Sequence, residues 1–175
     1  MSAIRAVAGR GIATCLTLVA VGWAADVPGR FGLAPYSEQF LALVLALSLG
    51  LVFLTRPSRF AALDLALALA GMASALWVMW DYPRRIAEQI ARPPDALWRG
   101  GLVCLLVLEG LRRCTGWPLV IVVLSIALIG IVGHLIPGAL QTRQVAPGRL
   151  LMYVAYDANG LFGLTLLVAA SVVIA

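Results

Sequence analysis

The chain has 175 residues, of which 62% are hydrophobic and only 12% charged, and its mean hydropathy is +0.99. Soluble domains run at about 45–50% apolar and about 25% charged, so an ordinary soluble domain is excluded and the chain is expected in a lipid bilayer. All 13 basic residues are arginine and the net charge is +5; they are scattered between apolar runs with no basic face, which argues against nucleic-acid binding and fits contact with anionic headgroups.

A helical span needs about 20 mostly apolar residues. The first candidate covers 12–25, preceded by Arg5 and Arg10. It has a rival reading as a secretory signal, because Gly22-Trp23-Ala24 has the small-x-small form of a cleavage site. An uncleaved span is the expectation, since the segment extends back to Ile4 and the rest of the chain is itself membrane-like. The second candidate covers 40–54 and stops at the Arg56–Arg59 cluster. The third covers 60–80, and the fourth covers 97–111, where Arg112 and Arg113 end it. The fifth covers 117–136, closed by Pro137-Gly138. A sixth apolar stretch starts near Gly160 and runs to Ala175, about 16 residues, which reads as part of a span.

Two connections are more than turns. Over 80–95, Ile86 and Ile90 stand four apart, with Glu88 and Arg92 four apart on another face. That spacing predicts a short interfacial helix stopped by Pro93-Pro94. Trp77, Trp80, Tyr82 and Trp98 surround it as headgroup-level aromatic anchors do. Further on, 141–148 reads as loop and 149–156 as a second interfacial turn. The expected fold is therefore an all-α, polytopic membrane bundle with about five full spans, a partial sixth and short interfacial helices.

Arginine counts decide the orientation weakly. With the N-terminus inside, Arg5, Arg10, Arg56, Arg59, Arg112 and Arg113 are cytoplasmic, and Arg30, Arg84, Arg85, Arg92, Arg143 and Arg149 are outside. Arg99 sits at a border. The flank of the first helix often dominates, so a cytoplasmic N-terminus is the expectation.

Chemistry-bearing residues are few. His134 is the only histidine and has no Cys, His or carboxylate at useful spacing, so it reads as an interfacial hydrogen-bonding residue. Cys15, Cys104 and Cys114 fit neither a metal site nor a disulfide framework and read as small packing residues. No pattern of a catalytic triad, a zinc protease or a phosphate loop occurs. Asp64 lies four residues into the third segment, close to Arg59, and reads as a snorkelling or paired carboxylate. Glu109 is deeper, three and four residues before Arg112 and Arg113, so both arginines can reach it on one helix face. Thr115-Gly116 then breaks the helix, and Trp117-Pro118 opens the next, with Pro tolerated in its first turn. The stretch reads as a charge-paired, tightly turned helical hairpin, with a protein-docking surface as the sharper alternative.

The run Leu108-Glu109-Gly110-Leu111-Arg112-Arg113-Cys114-Thr115-Gly116-Trp117 resembles the LEATRR-x-x-GW junction of TRAP transporter membrane proteins of the TAXI type. In these a four-helix small part is joined through a connecting helix to a large transport part. Gly133-His134-Leu135-Ile136-Pro137-Gly138 resembles the GPYLPG close of that connecting helix. Tyr156-Asp157-Ala158-Asn159-Gly160-Leu161-Phe162-Gly163-Leu164 resembles the DTNGLxGLPL opening of the large part. Order and spacing agree over 82–175; the first half matches in hydropathy alone. The departures are Gly110-Leu111 for Ala-Thr, His134 for Pro, Thr165 for Pro, and Arg92-Pro93-Pro94 without the family's Gly.

The resemblance implies three parts: a four-helix small-subunit-like part at 1–113, a connecting helix at 114–138, and an interfacial segment with the start of the transport part at 139–175. It implies a scaffold component of a binding-protein-dependent, sodium-coupled symporter for organic anions such as carboxylates, in a bacterial inner membrane. Such a piece does not transport alone, since the family's sodium and substrate sites lie in the large part. The implied partners are a large transmembrane subunit and a periplasmic solute-binding protein, beside the bilayer. Glu109, Arg112, Arg113, Gly116 and Trp117 would form the junction; Asp157, Asn159 and Gly160 would open the transport part. Arg84, Arg85 and Arg92 would touch the binding protein. No catalytic residue, cofactor or metal is expected. The alternatives are the small membrane subunit of a tripartite tricarboxylate transporter, a membrane-assembly protein, and a lipid-acting membrane enzyme, which would need clustered His, Asp or Glu that the sequence does not offer.

Overall fold

The computed structural model describes residues 2–32, 36–56, 58, 60–85, 94–135, 145–157 and 160. Among these residues all regular structure is helical. The order is α1 (Ser2–Ala24), the single turn α2 (Val27–Arg30), α3 (Ser37–Thr55), α4 (Ala61–Arg85), α5 (Pro94–Thr115), α6 (Trp117–Val132) with a 3-10 turn (Gly133–Leu135), and α7 (Pro147–Tyr156). Three helices are long and apolar enough to cross a membrane, over Arg5–Ala24, Ser37–Thr55 and Ala61–Pro83. The expected fourth and fifth segments are also helical. However, α5 carries five charged residues within its 22, and α6 is a shorter apolar helix of 16.

The core lies along α3. Ten of its residues are buried, among them Leu41, Ala42, Ala46 and Phe53. In a bilayer, helix association depends on close backbone approach at small residues, because lipid tails are as apolar as leucine. The α3–α4 seam follows that rule: a methyl added at Gly71 would stand 3.1 Å from Leu49 Cβ. Ala68, Ala75 and Val78 complete the α4 side. α1 leans on α3 at both ends, with Gly9 opposite Thr55 and the Trp23 ring stacked on Phe40 at 4.4 Å. α5 closes the bundle with Ala96, Val103 and Leu106 buried. α7 lays Met152, Ala155 and Tyr156 on α5, where a methyl at Gly100 would meet Ala155 Cβ at 2.8 Å. The Tyr156 hydroxyl donates to the Ala96 carbonyl at 3.2 Å.

Several boundaries differ from the sequence reading. α1 begins at Ser2, ten residues before the expected start, because Gly9 lies on the face that crosses α3 and serves packing rather than breaking the helix. α4 runs through Trp80 to Arg85 with Pro83 inside it, so this stretch extends the span and opens no separate helix. Proline has no N–H to give the carbonyl four residues earlier. That carbonyl, on Met79, instead accepts from Gln39 Nε2 of α3 at 3.1 Å. The remainder of the expected interfacial helix, 86–93, lies outside the described residues, as does the sixth apolar stretch beyond Gly160. The second interfacial turn is the ten-residue helix α7.

α6 stands apart. Only Val120 is buried, while Ile121, Val122, Leu124, Ile126, Leu128 and Ile129 are exposed around its circumference.

Candidate functional site

The polar chemistry of the chain concentrates at one end of the bundle. There the start of α1, the α3–α4 turn, the first turn of α4 and the last two turns of α5 meet. Asp64 sits at the centre with no exposed surface. Its Oδ1 accepts from Arg113 Nη1 at 2.7 Å, and its Oδ2 accepts from the Ser58 N–H at 2.9 Å. Arg5 approaches Oδ2 at 3.6 Å and also donates to the Ala61 carbonyl. Thus α1, α4 and α5 each contribute a charge to one contact.

Arg113 is the hub. Besides Asp64 it donates through Nε to Glu109 Oε1 at 2.8 Å and through Nη1 to the Arg56 carbonyl at 3.3 Å, and its guanidinium lies 4.9 Å from the Phe53 ring centroid. Arg112 grips Glu109 with both nitrogens, Nε to Oε2 and Nη2 to Oε1, each at 2.7 Å. Its other face rests over Trp117 at 5.6 Å. A fork-to-fork pair of this kind fixes orientation as well as charge. Three guanidiniums therefore surround two carboxylates, and among the described residues no buried side-chain polar atom lacks a partner.

An isolated carboxylate at membrane depth is expensive, and removing one partner of a buried pair costs about 3–5 kcal/mol. The arrangement is therefore a clamp. Both carboxylates are fully engaged, which leaves neither free to act as a base. Beyond the clamp, Gly116 has φ 87 and ψ −172, a region open in practice to glycine alone. This one residue lets the chain turn from α5 straight into α6. Thr115 Oγ1 caps the end by donating to the Leu111 carbonyl at 2.9 Å.

Of the residues singled out from sequence, Glu109, Arg112, Arg113, Gly116 and Trp117 come together here. Asp157 caps the end of α7, and the Gly160 N–H donates to its carbonyl at 2.9 Å. These two lie with α7 against the far half of α5, away from the clamp. Asn159 and Arg92 lie outside the described residues, while Arg84 and Arg85 close α4. The expected partner of Asp64, Arg59, also lies outside the described residues; the observed partners are Arg113, Arg5 and Ser58. Sequence reading assigned Arg113 to Glu109 alone and missed Arg5 and Phe53. The signal was present in the expected orientation, which puts Arg5, the start of the third segment and the end of the fourth on one membrane face.

The other end of the bundle is held differently. Arg99 pairs with Asp81 at 2.9 Å and lies 4.9 Å from the Trp77 ring. Nearby, an apolar cavity of about 350 Å³ is bounded by Trp23, Pro28, Gln39, Phe40 and Met79. His134 Nδ1 lies 3.1 Å from the Ile131 carbonyl within its own helix end. Among the described residues no three His, Cys, Asp or Glu side chains gather as metal ligands do. Compared with the models of known protein families, with curated proteins and with solved structures, the chain matches none of them.

Proposed function

We propose that the chain is a membrane scaffold, a small-subunit-like component of a TAXI-type TRAP transporter for organic anions such as carboxylates. In this reading α1, α3, α4 and α5 are four crossings of a bacterial inner membrane, starting from a cytoplasmic N-terminus. α5 has its charges towards its two ends, and its 22 residues reach about 33 Å, against a hydrocarbon core of about 30 Å. The fifth crossing is α6 with its 3-10 turn, about 30 Å together.

The observation that carries the reading is α6. It leaves a clamped four-helix bundle through a one-residue turn and is apolar on every side, with one buried residue. Four packed helices followed by an outlying apolar helix is the plan that the resemblance implies for a small part and its connecting helix. A scaffold also needs a rigid, charge-satisfied end, and the Asp64–Arg113–Glu109 clamp supplies one. Transport itself would belong to a large partner that embraces α6, and substrate delivery to a periplasmic binding protein.

The test is affinity purification of the tagged chain from native membranes in mild detergent, with mass spectrometry of what accompanies it. A large multi-span protein together with a periplasmic solute-binding protein supports the reading, and Glu109→Leu should lower their recovery. A solitary small protein, or recovery unchanged by Glu109→Leu, would count against it.

A further inference from the structure

The clamp uses up its carboxylates and leaves two cations over. At this end Asp64 and Glu109 are taken by Arg5, Arg112 and Arg113. Arg10 and Arg56 are exposed, and among the described residues neither guanidinium has a hydrogen bond or ion pair. Both belong to the same seam. α1 touches α3 where a methyl at Gly9 would lie 3.6 Å from Thr55 Cγ2; Arg10 follows Gly9 and Arg56 follows Thr55.

Depth sharpens the point. Arg10 lies within the candidate span Arg5–Ala24, five residues beyond Arg5 and about 7.5 Å further along the helix. It shares an outer face of α1 with the exposed Val21, eleven residues further on. A charged side chain on a lipid-exposed face at this depth bends back towards the headgroups, where it meets phosphate. Guanidinium binds phosphate through two parallel hydrogen bonds, which ammonium cannot do.

We infer that Arg10 and Arg56 form a binding site for one anionic phospholipid beside the α1–α3 seam, holding its phosphate while an acyl chain runs along α1 past Val21. The cytoplasmic leaflet, where the N-terminus is placed, is the anionic one. The inference rests on the membrane reading with a cytoplasmic N-terminus and stands whether or not a transport partner exists.

The test uses the full chain, delipidated and returned to phosphatidylcholine bicelles, titrated with phosphatidylglycerol and read by native mass spectrometry. The wild-type chain should retain one phosphatidylglycerol in preference to phosphatidylcholine. At about one factor of five per arginine, the preference should fall about twenty-five-fold in R10Q/R56Q. The single variants R10Q and R56Q should each lose about fivefold, which keeps the test decisive if the double variant does not fold. R10K/R56K should recover part of the loss, and R30Q, in α2 beyond the opposite end of α1, should match wild type. Equal retention by wild type and the glutamine variants would overturn the site. Displacement of the lipid by inorganic phosphate would replace it with a soluble-phosphate site. An acidic protein bound through Arg10 and Arg56, in place of lipid, would also overturn it.

Discussion

α3 and α6 are both predominantly apolar, with 19 and 16 residues, yet they meet opposite fates. α3 buries ten residues and forms the core, while α6 buries only Val120. Apolarity does not separate them. Lipid tails compete equally for leucine and isoleucine, so a helix joins a bundle through close approach and polar links. α3 has both: Leu49 against Gly71, Gln39 bonded to the Met79 carbonyl, and the Arg56 carbonyl accepting from Arg113. Beyond the Trp117 contact with Arg112, no α6 side chain makes a hydrogen bond or ion pair to the bundle among the described residues. A helix is thus retained or released by a handful of residues within a uniformly oily sequence.

The comparison can be broken at the clamp. Arg113→Leu leaves the buried Asp64 with Arg5 and the Ser58 N–H alone and removes one ion pair between α4 and α5, the Asp81–Arg99 pair at the other end remaining. It should cost about 4 kcal/mol in thermal unfolding of the detergent-solubilised chain, with α6 remaining helical by circular dichroism. The hinge between the two regimes gives a smaller effect. Gly116→Ala forces an L side chain into φ 87 and should cost about 2 kcal/mol, visible as a lower melting temperature. At the low end, Ile126→Ala on α6 should leave the stability of the isolated chain within about 0.5 kcal/mol of wild type. A large loss there would mean that α6 is held by the bundle after all.

Much of this arrangement was legible in the chain. The apolar runs located α1, α3 and α4, and the three- and four-residue spacing of Glu109, Arg112 and Arg113 foretold their pairing. Gly116-Trp117-Pro118 marked the hinge. What stayed hidden is non-local. Asp64 and Arg113 are 49 residues apart, and nothing near either one names the other. The continuation of α4 past Trp80 stayed hidden too, because the bond that Pro83 forgoes is made good by Gln39 from another helix. The contact of Gly9 with Thr55 is likewise between helices, so nothing beside Gly9 in the chain announces it. Periodicity records which face of a helix is apolar, but in lipid it does not record which face finds a protein neighbour.

The most direct test of a scaffold with an outlying arm is site-specific photocrosslinking in native membranes, with the reactive residue at Ile126 of α6 or at Leu47 of α3. The expected result is a covalent adduct with a large multi-span protein from position 126, and crosslinks confined to the chain itself from the buried position 47. Lipid adducts alone from position 126, or the same protein captured from both positions, would contradict the division of labour between α3 and α6.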